Sequence, residues 1–319
     1  MIKRIVDKLR IVEVKHLSMH LGSTPVELAH VCSSISRHPS QYYRWWNKCF
    51  PNGKTRPMVE VRGRLREILD RLNDLLQHVC LPEYVNGGVP GRSVLSNAMP
   101  HLNKPMLMKT DLANHFPRVS PGRVYAMFRK QQECSPEVAR ILTRLTTQSG
   151  GLPQGSPTSV AVSNLVTLGL SRRLRRFAEA RGAVLTQYVD DYIFSGGKRL
   201  AGCKEKIISI VKQEGFKANE AKTVSVPADK EQIVTGIRVN GSQMDAPSSK
   251  VADVRKAIRR LRCELEVTGS VPTKRIKSIE GKISYIAAYN RGTGKYLRRQ
   301  LDHIKTPGVR IAGREEIAG

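Results

Sequence analysis

The sequence has no long hydrophobic run. No stretch of its 319 residues approaches the roughly 20 apolar positions that a membrane-spanning helix needs. The first residues, MIKRIVDKLRIVEV, alternate charged and apolar side chains too quickly for the core of a signal peptide. These two absences predict a cytoplasmic protein that has no membrane partner.

Closely spaced cysteines are also missing. The six cysteines lie at least seventeen positions apart, so the sequence contains no CxxC pair. Zinc sites and redox centres normally use such neighbouring thiols. We therefore expect six reduced cysteines that mostly fill the hydrophobic core.

Acidic residues are scarce beside basic ones. The chain has 54 lysines and arginines against 27 acidic residues, and the resulting formal charge of +27 is spread along its whole length. Such an excess predicts a polyanionic partner, of which nucleic acid is the natural example. Because 40% of the residues are hydrophobic, the chain can also bury the cores of two or three subdomains.

The apolar pattern predicts strands mixed with helices. The run MLMKTDL at 106–112 predicts a buried strand that ends in a carboxylate, and VLTQYVDDYIFS at 184–195 predicts two strands folded back on each other. Residues 233–239 predict a further strand. Apolar steps of three and four predict helices over 65–79, 121–147 and 200–214, from the loop at 150–157 to about 180, and in the last seventy residues.

Three aspartates carry the chemistry that this pattern predicts. Asp190 and Asp191 would share a hairpin tip, where like charges repel unless a cation lies between them. Asp111 ends a separate strand that can lie beside the hairpin. Each feature alone is commonly a solvated turn or a strand-end cap. Together they suit two Mg²⁺ ions about 3.5–4 Å apart, which activate a hydroxyl and stabilise the leaving pyrophosphate. The predicted reaction is nucleotidyl transfer.

Several motifs resemble those of reverse transcriptases, and they occur in that family's order. YVDD at 188–191 and TDLANHFP at 110–117 resemble the metal-binding motifs, and LPQGSPTS at 152–159 is similar to the nucleotide-pocket motif. KTRP at 54–57 and NEAKT at 219–223 match further segments. Within the family, NAMPH at 97–101 and VTG at 234–236 resemble elements of retron enzymes. The ordered set is specific, so the chain is identified as a retron-type reverse transcriptase.

This resemblance implies an α+β right-hand polymerase fold. The N-terminal region and fingers would occupy residues 1–104. An antiparallel palm sheet would occupy 105–240, with part of the fingers at 120–180, and a helical thumb with a C-terminal tail would occupy 241–319. The basic outer faces of the thumb helices would grip the template–product duplex through its phosphates. The predicted duplex-binding residues are Arg255, Arg259, Arg262, Lys274 and Lys277.

The resemblance also implies roles in the nucleotide pocket. The ring of Phe116 would collide with a ribose 2′-hydroxyl, so the product would be DNA, although simple core packing is the alternative for this residue. Cationic side chains would hold the triphosphate, unless they are ordinary solvated surface groups. The predicted nucleotide-binding residues are Lys54, Arg56, Phe116, Gln154, Gly155 and Lys222. The predicted retron-specific RNA-recognition residues are Asn97, His101, Val234, Thr235 and Gly236.

The expected function is that of an RNA-directed DNA polymerase. It would bind its cognate structured noncoding RNA as template and primer, start from the 2′-hydroxyl of an internal guanosine, and build the branched RNA–DNA product msDNA from dNTPs. Two Mg²⁺ ions are the expected cofactors, with Mn²⁺ as a substitute. The resemblance further implies a role in defence against phage alongside a toxin or effector protein. The alternatives are another compact bacterial reverse transcriptase, of the group II intron or diversity-generating kind, and a non-catalytic RNA-binding protein on a polymerase fold.

Overall fold

The computed structural model describes residues 6–50, 53–304 and 310–312. The chain divides into two compact units. The first comprises Met1–Ser93 and Met108–Ser225, and the second comprises Val94–Leu107 and Val226–Gly319. The division into fingers, palm and thumb at 1–104, 105–240 and 241–319 stays a prediction.

Helices are the most abundant regular structure among the described residues. None of these helices has the length and apolar character needed to cross a lipid bilayer. Their bounds are α1 Val14–His20, α2 Pro25–Arg37, α3 Pro39–Tyr42, α4 Gly63–Leu76, α5 Val94–Ala98, α6 His115–Arg118, α7 Pro121–Ala126, α8 Pro136–Thr146, α9 Ser159–Val166, α10 Leu168–Glu179, α11 Lys204–Gln213, α12 Ser248–Thr268, α13 Thr273–Ala287 and α14 Arg291–Asp302.

Short strands supply the remaining regular structure. A four-stranded sheet has the order β4-β5-β3-β6, in which β4 and β5 are antiparallel. Sheet and helices together give the predicted α+β class. The strands are β1 Tyr43–Cys49, β2 Thr55–Val61, β3 Met106–Asp111, β4 Val184–Tyr188, β5 Asp191–Gly196, β6 Val224–Pro227, β7 Ile233–Val234, β8 Ile237–Arg238, β9 Ser270–Pro272 and β10 Arg310–Ala312.

The core of the first unit forms around α4. Its residues Leu65, Ile68, Leu69 and Leu72 recur at helical spacing and are all buried. They join one apolar cluster with side chains from α1, α2, α8 and α9. The helix predicted over 65–79 is therefore confirmed, although it ends at Leu76.

Two long predicted helices are each broken in the structure. The region 121–147 contains α7, a π-helical turn at Met127–Gln131 and α8. A new helix starts at Pro136, where Ser135 Oγ accepts a hydrogen bond from Val138 N at 3.3 Å. The helix predicted to reach about 180 is divided at Thr167 into α9 and α10. Apolar periodicity continued through both breaks, which is why it did not reveal them.

The single strand predicted over 233–239 is wrong. Ile233–Val234 and Ile237–Arg238 instead pair with each other as β7 and β8. The two residues between them, Thr235 and Gly236, have φ values of 44° and 83° and form the turn. Left-handed backbone at two consecutive positions reverses the chain, so the VTG element is a hairpin turn.

The cysteine prediction holds only in part. All six thiols are free, as expected. Only Cys134 and Cys203 are buried, however, while Cys49, Cys80 and Cys263 are exposed. The expectation that the cysteines mostly fill the core is therefore wrong, since spacing along the chain carries no information about burial.

The second unit is organised by three helices. α12, α13 and α14 enclose an apolar cluster that includes Ile258, Ile283 and Leu297. Periodicity predicted α12 and α13 but not α14, whose sequence RGTGKYLRRQLD contains two glycines and few apolar residues. Tertiary packing of Leu297 and Leu301 stabilises this helix, because its intrinsic propensity is poor.

The N-terminal helix α2 was also missed, although its start is signalled locally. Thr24 Oγ1 accepts a hydrogen bond from Glu27 N at 3.1 Å, and Pro25 occupies the first helical position. Ser23 Oγ donates to Glu27 Oε2 at 2.6 Å. The segment TPVE therefore carries the elements of a capping box.

We expect Thr24→Ala to lower the free energy of unfolding by about 1 kcal/mol, because it leaves a helical N–H without its cap. Thr24→Ser keeps a hydroxyl at the same place and is the matched control. Urea unfolding of the purified variants measures both. Equal stability of the alanine and serine variants would contradict the capping role.

Candidate active site

The predicted aspartate hairpin is present. Tyr188 of β4 pairs with Asp191 of β5, so Val189 and Asp190 form the turn and Asp191 begins the returning strand. Val189 has a φ of 59°. A β-branched residue rarely adopts this conformation, so the tip is a strained point that its surroundings must hold.

The buried side chain of Gln187 holds the strained turn. Its Nε2 donates to Val189 O at 2.9 Å and to Thr167 Oγ1 at 3.1 Å. Its Oε1 accepts a hydrogen bond from Ser171 Oγ at 2.6 Å. The sequence patterns did not predict a role for Gln187, although a glutamine inside a short buried strand next to two aspartates was a usable signal.

Gly87 supports the same turn from outside the hairpin. A Cβ atom placed on Gly87 would lie 2.5 Å from Val189 N and 2.6 Å from Val189 Cγ2. Asn164 Nδ2 donates to Gly87 O at 2.8 Å and fixes the glycine in place. The close approach leaves no room for any side chain at position 87.

Backbone hydrogen bonds bring Asp111 to the hairpin tip. Leu112 N donates to Asp190 O at 3.1 Å, which joins the end of β3 to the turn. On the other side, Asn219 N donates to Asp111 O at 2.8 Å. The position of Asp111 is therefore set by the chain on both flanks.

The three carboxylates repel one another in a partly buried place. Burial, followed by repulsion from Asp111, raises the pKa of Asp190. Burial, followed by the carboxylates of Asp190 and Asp111, raises the pKa of Asp191 to about 6. Asp111 Oδ1 is buried and has no hydrogen-bond partner among the residues that the structure describes. These carboxylates therefore favour the binding of further positive charge.

Two lysines offset part of the negative charge. Lys222 Nζ donates to Asp111 Oδ2 at 3.0 Å, while its own side chain is 64% exposed. Lys109 lies two residues before Asp111 and so on the same side of β3. Burial lowers the pKa of Lys109, and the Asp191 carboxylate opposes that shift. The sequence predicted Lys222 but missed Lys109, a cation inside an apolar run.

The carboxylates are close enough to interact but are not gathered into a ready metal cage. Within residues 6–50, 53–304 and 310–312, no three His, Cys, Asp or Glu side chains are arranged to hold a metal ion. The donor set nevertheless fits a divalent cation, because raised carboxylate pKa values and an unpartnered buried oxygen both call for positive charge. Carboxylate oxygens are ligands that Mg²⁺ prefers.

One cleft of about 510 Å³ contains most of the predicted pocket residues. Lys54 and Arg56 reach it from the β1–β2 hairpin, and Trp45 also lines it. Asp191 and Gly155 do not line this cleft. The predicted residues that do are Asp111, Asp190, Lys54, Arg56, Phe116, Gln154 and Lys222.

A glycine-containing loop forms one wall of the cleft. Leu152 N donates to Phe116 O at 2.9 Å, and Val59 N donates to Gln154 O at 2.7 Å. Gly155 has a φ of 111°, and a Cβ atom placed on it would lie 2.3 Å from Val59 O. Gly155 thus allows the loop to contact strand β2.

His115 packs beneath the aromatic side of the cleft. Its ring is 3% exposed and lies 5.5 Å from the ring of Phe116. His115 Nε2 and Ser163 Oγ share a hydrogen bond of 2.6 Å. Burial, followed by the charge of Arg123, lowers the pKa of His115 to about 4. His115 is therefore a neutral packing residue at pH 7.

The two retron-like elements meet in the second unit. Asn97 Nδ2 donates to Thr235 Oγ1 at 3.5 Å, and Thr235 Oγ1 donates to Val94 O at 3.4 Å. Asn97, His101 and Val234 are fully buried. Thr235 and Gly236 are partly exposed at the turn, so the surface here is formed by the hairpin backbone.

The predicted duplex-binding residues all lie on exposed helix faces. Arg255 Nη2 donates to Tyr296 Oη at 2.7 Å, and its guanidinium lies 5.0 Å from the centre of that ring. Arg255 and Arg259 line one groove of about 610 Å³ between α12 and α14. The remaining predicted residues, Arg262, Lys274 and Lys277, are exposed but lie outside this groove.

Comparison with known proteins fits this geometry. The family described as reverse transcriptase (RNA-dependent DNA polymerase) matches residues 47–239, which contain all three aspartates and every lining residue of the cleft except Trp45. The chain belongs to the reverse transcriptase family. This membership confirms the right-hand polymerase fold, and the family range begins within β1 and ends just after β8.

Curated relatives are of the retron type. The chain is 27% identical over 285 residues to the retron Mx162 reverse transcriptase of Myxococcus xanthus, covering 79% of this chain and 58% of that protein. It is 26% identical over 242 residues to the retron Ec86 reverse transcriptase of Escherichia coli, covering 75% and 70%. The chain is thus similar to retron reverse transcriptases, and it spans little more than half of the first relative's length.

Similarity also extends to a solved structure of a foamy viral protease–reverse transcriptase in complex with double-stranded DNA. The two chains are 16% identical, with a TM-score of 0.46. The match covers 98% of this chain and 48% of the viral chain.

We expect His115→Phe to flatten the pH dependence of stability. As pH falls below 6.5, the unfolded histidine binds a proton that the folded one, with its pKa near 4, does not bind. The native chain should therefore lose roughly 2 kcal/mol more than the variant between pH 7 and pH 5. Urea unfolding at both pH values measures the difference. His115→Gln cannot titrate either, so its loss of stability between pH 7 and pH 5 should equal that of His115→Phe. A flattened pH dependence in only one of the two variants would indicate repacking instead.

Gly87→Ala should disturb the aspartate hairpin, because its Cβ would overlap the backbone of Val189. We expect thermal unfolding to show a loss of about 1–3 kcal/mol. Gly197→Ala is the matched control, since a Cβ atom there meets nothing within 4 Å. Equal stability of the two variants would show that the turn does not depend on this contact.

Proposed function

We propose that the chain is an RNA-directed DNA polymerase that copies its cognate structured noncoding RNA into branched msDNA. The observation that carries the proposal is the composition of the cleft. Two aspartates, a cationic hairpin and an aromatic ring face the same space of about 510 Å³. These groups suit a metal-bound nucleoside triphosphate aligned for transfer to a hydroxyl.

The cleft supplies distinct contacts for the parts of a dNTP. Lys54 and Arg56 extend from the β1–β2 hairpin, where their charges suit the triphosphate. Phe116 of α6 lines the same cleft, where its ring would exclude a ribose 2′-hydroxyl and select deoxynucleotides. Gln154 Oε1 is buried without a hydrogen-bond partner in the described part of the chain and is available to the incoming nucleotide.

Asp111, Asp190 and Asp191 would hold two Mg²⁺ ions, or Mn²⁺ in their place, which supply activation of the attacking hydroxyl and charge stabilisation at the phosphate. The chain's own contribution is to hold the three carboxylates together in a place where burial, followed by the neighbouring carboxylates, raises the pKa values of Asp190 and Asp191. Lys222 keeps Asp111 oriented through its bond to Oδ2.

The second unit would bind the RNA and the growing duplex. The exposed arginines of α12 offer charge to phosphates, and the turn at Thr235 and Gly236 offers backbone groups to a folded RNA. Asn97, His101 and Val234 would act by fixing that turn, since they are buried. The proposal also includes priming from an internal guanosine 2′-hydroxyl and a defence role with a toxin or effector protein, both of which the motif resemblance implies.

Replacing Asp190 and Asp191 together by asparagine should abolish DNA synthesis, because neutral side chains cannot hold two divalent ions. The test expresses the chain with its flanking genomic DNA in bacteria and analyses the extracted nucleic acid before and after treatment with debranching enzyme. The native chain should yield a small DNA joined to RNA that the enzyme separates, and Asp74→Asn, an exposed control, should do the same.

Each other outcome has a defined meaning. Unbranched DNA that depends on the aspartates would assign the chain to another class of reverse transcriptase. Tightly bound RNA without any DNA would indicate an RNA-binding protein. Unchanged synthesis by the double variant would remove the basis of the mechanism.

A further inference from the structure

Helix α11 ends in a glycine turn, after which the chain runs to the candidate active site. Gly215 has a φ of 70° and donates its N–H to Lys212 O at 2.8 Å. Phe216 N donates to Val211 O at 3.0 Å. These two bonds form a Schellman motif, which satisfies two of the last carbonyl groups of the helix. The carbonyl groups of Glu214 and Gly215 lie beyond the motif and need donors from elsewhere in the chain.

The donor is Arg123, which belongs to helix α7. Arg123 Nη2 donates to Glu214 O at 3.1 Å and to Gly215 O at 2.8 Å. A Cβ atom placed on Gly215 would lie 2.2 Å from the same nitrogen, so the guanidinium lies directly against the glycine. A cation at the carboxyl end of a helix also interacts favourably with the helix dipole. Arg123 therefore anchors the end of α11 through two carbonyl groups at once.

The guanidinium of Arg123 also covers the side chain that follows the turn. It lies 4.3 Å from the centre of the Phe216 ring, which is the geometry of a cation–π contact. On another side, the Phe216 ring lies 6.0 Å from the ring of His115, which in turn packs beneath Phe116 of the cleft. Arg123 thus fixes the first residue after the turn as well as the turn itself.

Arg123 is itself held on a helix that belongs to the core of the first unit. Ser120 Oγ accepts a hydrogen bond from Arg123 N at 3.4 Å and caps the start of α7. Val124, the next residue, is fully buried in the apolar cluster that also contains Leu65 and Leu69 of α4. The end of α11 is thereby tied to the main apolar core of the unit.

The chain that leaves this anchor runs directly alongside Asp111. Ala113 N donates to Lys217 O at 2.7 Å, and Asn219 N donates to Asp111 O at 2.8 Å. Three residues later, Lys222 Nζ donates to Asp111 Oδ2 at 3.0 Å. Because the Lys222 side chain is 64% exposed, packing does little to fix its ammonium group. The position of that group therefore depends on where the backbone of residues 216–222 lies.

The segment 216–222 is held at its two ends. Its pairing with β3 consists of two backbone hydrogen bonds, and so short a pairing specifies the register of the two segments weakly. At the far end, the hydroxyl groups of Thr110 and Thr223 share a hydrogen bond of 2.8 Å. At the near end, the contacts of Arg123 with Gly215 and Phe216 fix where the segment begins.

We propose that Arg123 is a positioning residue for nucleotidyl transfer, which sets the place of Lys222 beside Asp111 by fixing the start of the segment 216–222. The inference rests on the proposed function and names a residue to which that function gives no part. Arg123 does not line the nucleotide cleft, so it acts through Lys222 and not by contact with the dNTP.

Single-turnover incorporation of one nucleotide measures this role. The probe is an RNA template annealed to a DNA primer, with Mg²⁺ and the complementary dNTP. Arg123→Ala should lower the maximal rate about tenfold, because a displaced Lys222 stabilises the transition state less. The apparent Kd of the dNTP should change less than about twofold, because Lys54 and Arg56 approach the triphosphate from the β1–β2 hairpin. Arg123→Lys keeps a cationic donor and should recover part of the rate.

Arg173→Ala is the matched control. Arg173 contacts the same end of α11, but through side chains: Nη1 donates to Glu214 Oε1 at 2.7 Å and Nη2 donates to Gln213 Oε1 at 2.6 Å. Its removal should leave the rate of incorporation unchanged. A loss of rate equal to that of Arg123→Ala would show that any weakening of this helix end has the same effect, and would overturn the proposal.

A second variant displaces the guanidinium without removing it. The new Cβ of Gly215→Ala would overlap Arg123 Nη2, so this variant should lower the rate as Arg123→Ala does. Gly202→Ala imposes the same backbone strain, because Gly202 has a φ of 73°, but its Cβ would meet nothing within 4 Å. It should therefore leave the rate unchanged. Thermal unfolding of each variant confirms that the compared proteins are folded.

A double-mutant cycle tests whether Arg123 acts through Lys222. In a Lys222→Gln background, Arg123→Ala should lower the rate less than about twofold further, because the group that it positions is already gone. A further loss of about tenfold would show that the two residues act independently, and would overturn the proposal.

Amide hydrogen exchange measures the same anchor without substrate or DNA synthesis. Mass spectrometry of peptides that contain Ala113 or Asn219 should show exchange about tenfold faster in Arg123→Ala, because their hydrogen bonds to the segment open more often. Arg173→Ala should leave this exchange unchanged, and equal exchange in the two variants would overturn the proposal. A native chain that incorporates no nucleotide, together with faster exchange in Arg123→Ala, would refute the proposed function alone.

Discussion

Mutual repulsion among three partly buried carboxylates is the constraint on which the first unit depends. Asp190 and Asp191 are adjacent in sequence, and the hydrogen bond from Leu112 N to Asp190 O adds Asp111 to them. Such an arrangement is unfavourable without positive charge: burial, followed by the carboxylates of Asp190 and Asp111, raises the pKa of Asp191. Contacts from the neighbouring structure hold the three aspartates together, because the carboxylates themselves repel one another.

Two turns that carry the family motifs have a non-glycine residue with positive φ, and each is stabilised by a side chain of its own unit. Val189 has a φ of 59° at the aspartate hairpin, where Gln187 bonds its carbonyl oxygen. Thr235 has a φ of 44° at the VTG turn, where Asn97 bonds its hydroxyl group. Such conformations cost of the order of 1–3 kcal/mol each and persist where surrounding contacts fix them. The motifs YVDD, NAMPH and VTG therefore form or stabilise strained turns, in addition to being sequence signatures.

Sequence patterns predicted the parts of the site that are local. The run before Asp111 and the hairpin at 184–195 became strands because apolar alternation is a short-range property of the chain. Lys54, Arg56, Phe116, Gln154 and Lys222 were selected by resemblance, and they line one cleft with Asp111 and Asp190. Asp191, predicted with the same set, remains outside it because the register turns it to the other side of the strand start.

What the sequence did not predict depends on contacts between distant segments. Gly87 approaches Val189 from 102 positions away, and Lys109 acquires its partner from a neighbouring strand. The predicted strand at 233–239 is divided by the left-handed backbone of Thr235 and Gly236, which β propensity does not predict. Helix α14 packs against an apolar cluster formed by other segments, so its own composition underestimates its tendency to be helical.

The contact between Gly155 and Val59 has a consequence for how this protein can vary during evolution. It is made by backbone atoms on both sides, so no side chain at the contact is available for gradual adjustment. Val59 can be exchanged for other apolar residues without altering its carbonyl oxygen, whereas position 155 accepts only glycine. Substitutions are therefore tolerated less at this contact than on the two faces of the β1–β2 hairpin. The surfaces of the hairpin can change during evolution while its backbone contact with the Gly155 loop stays the same.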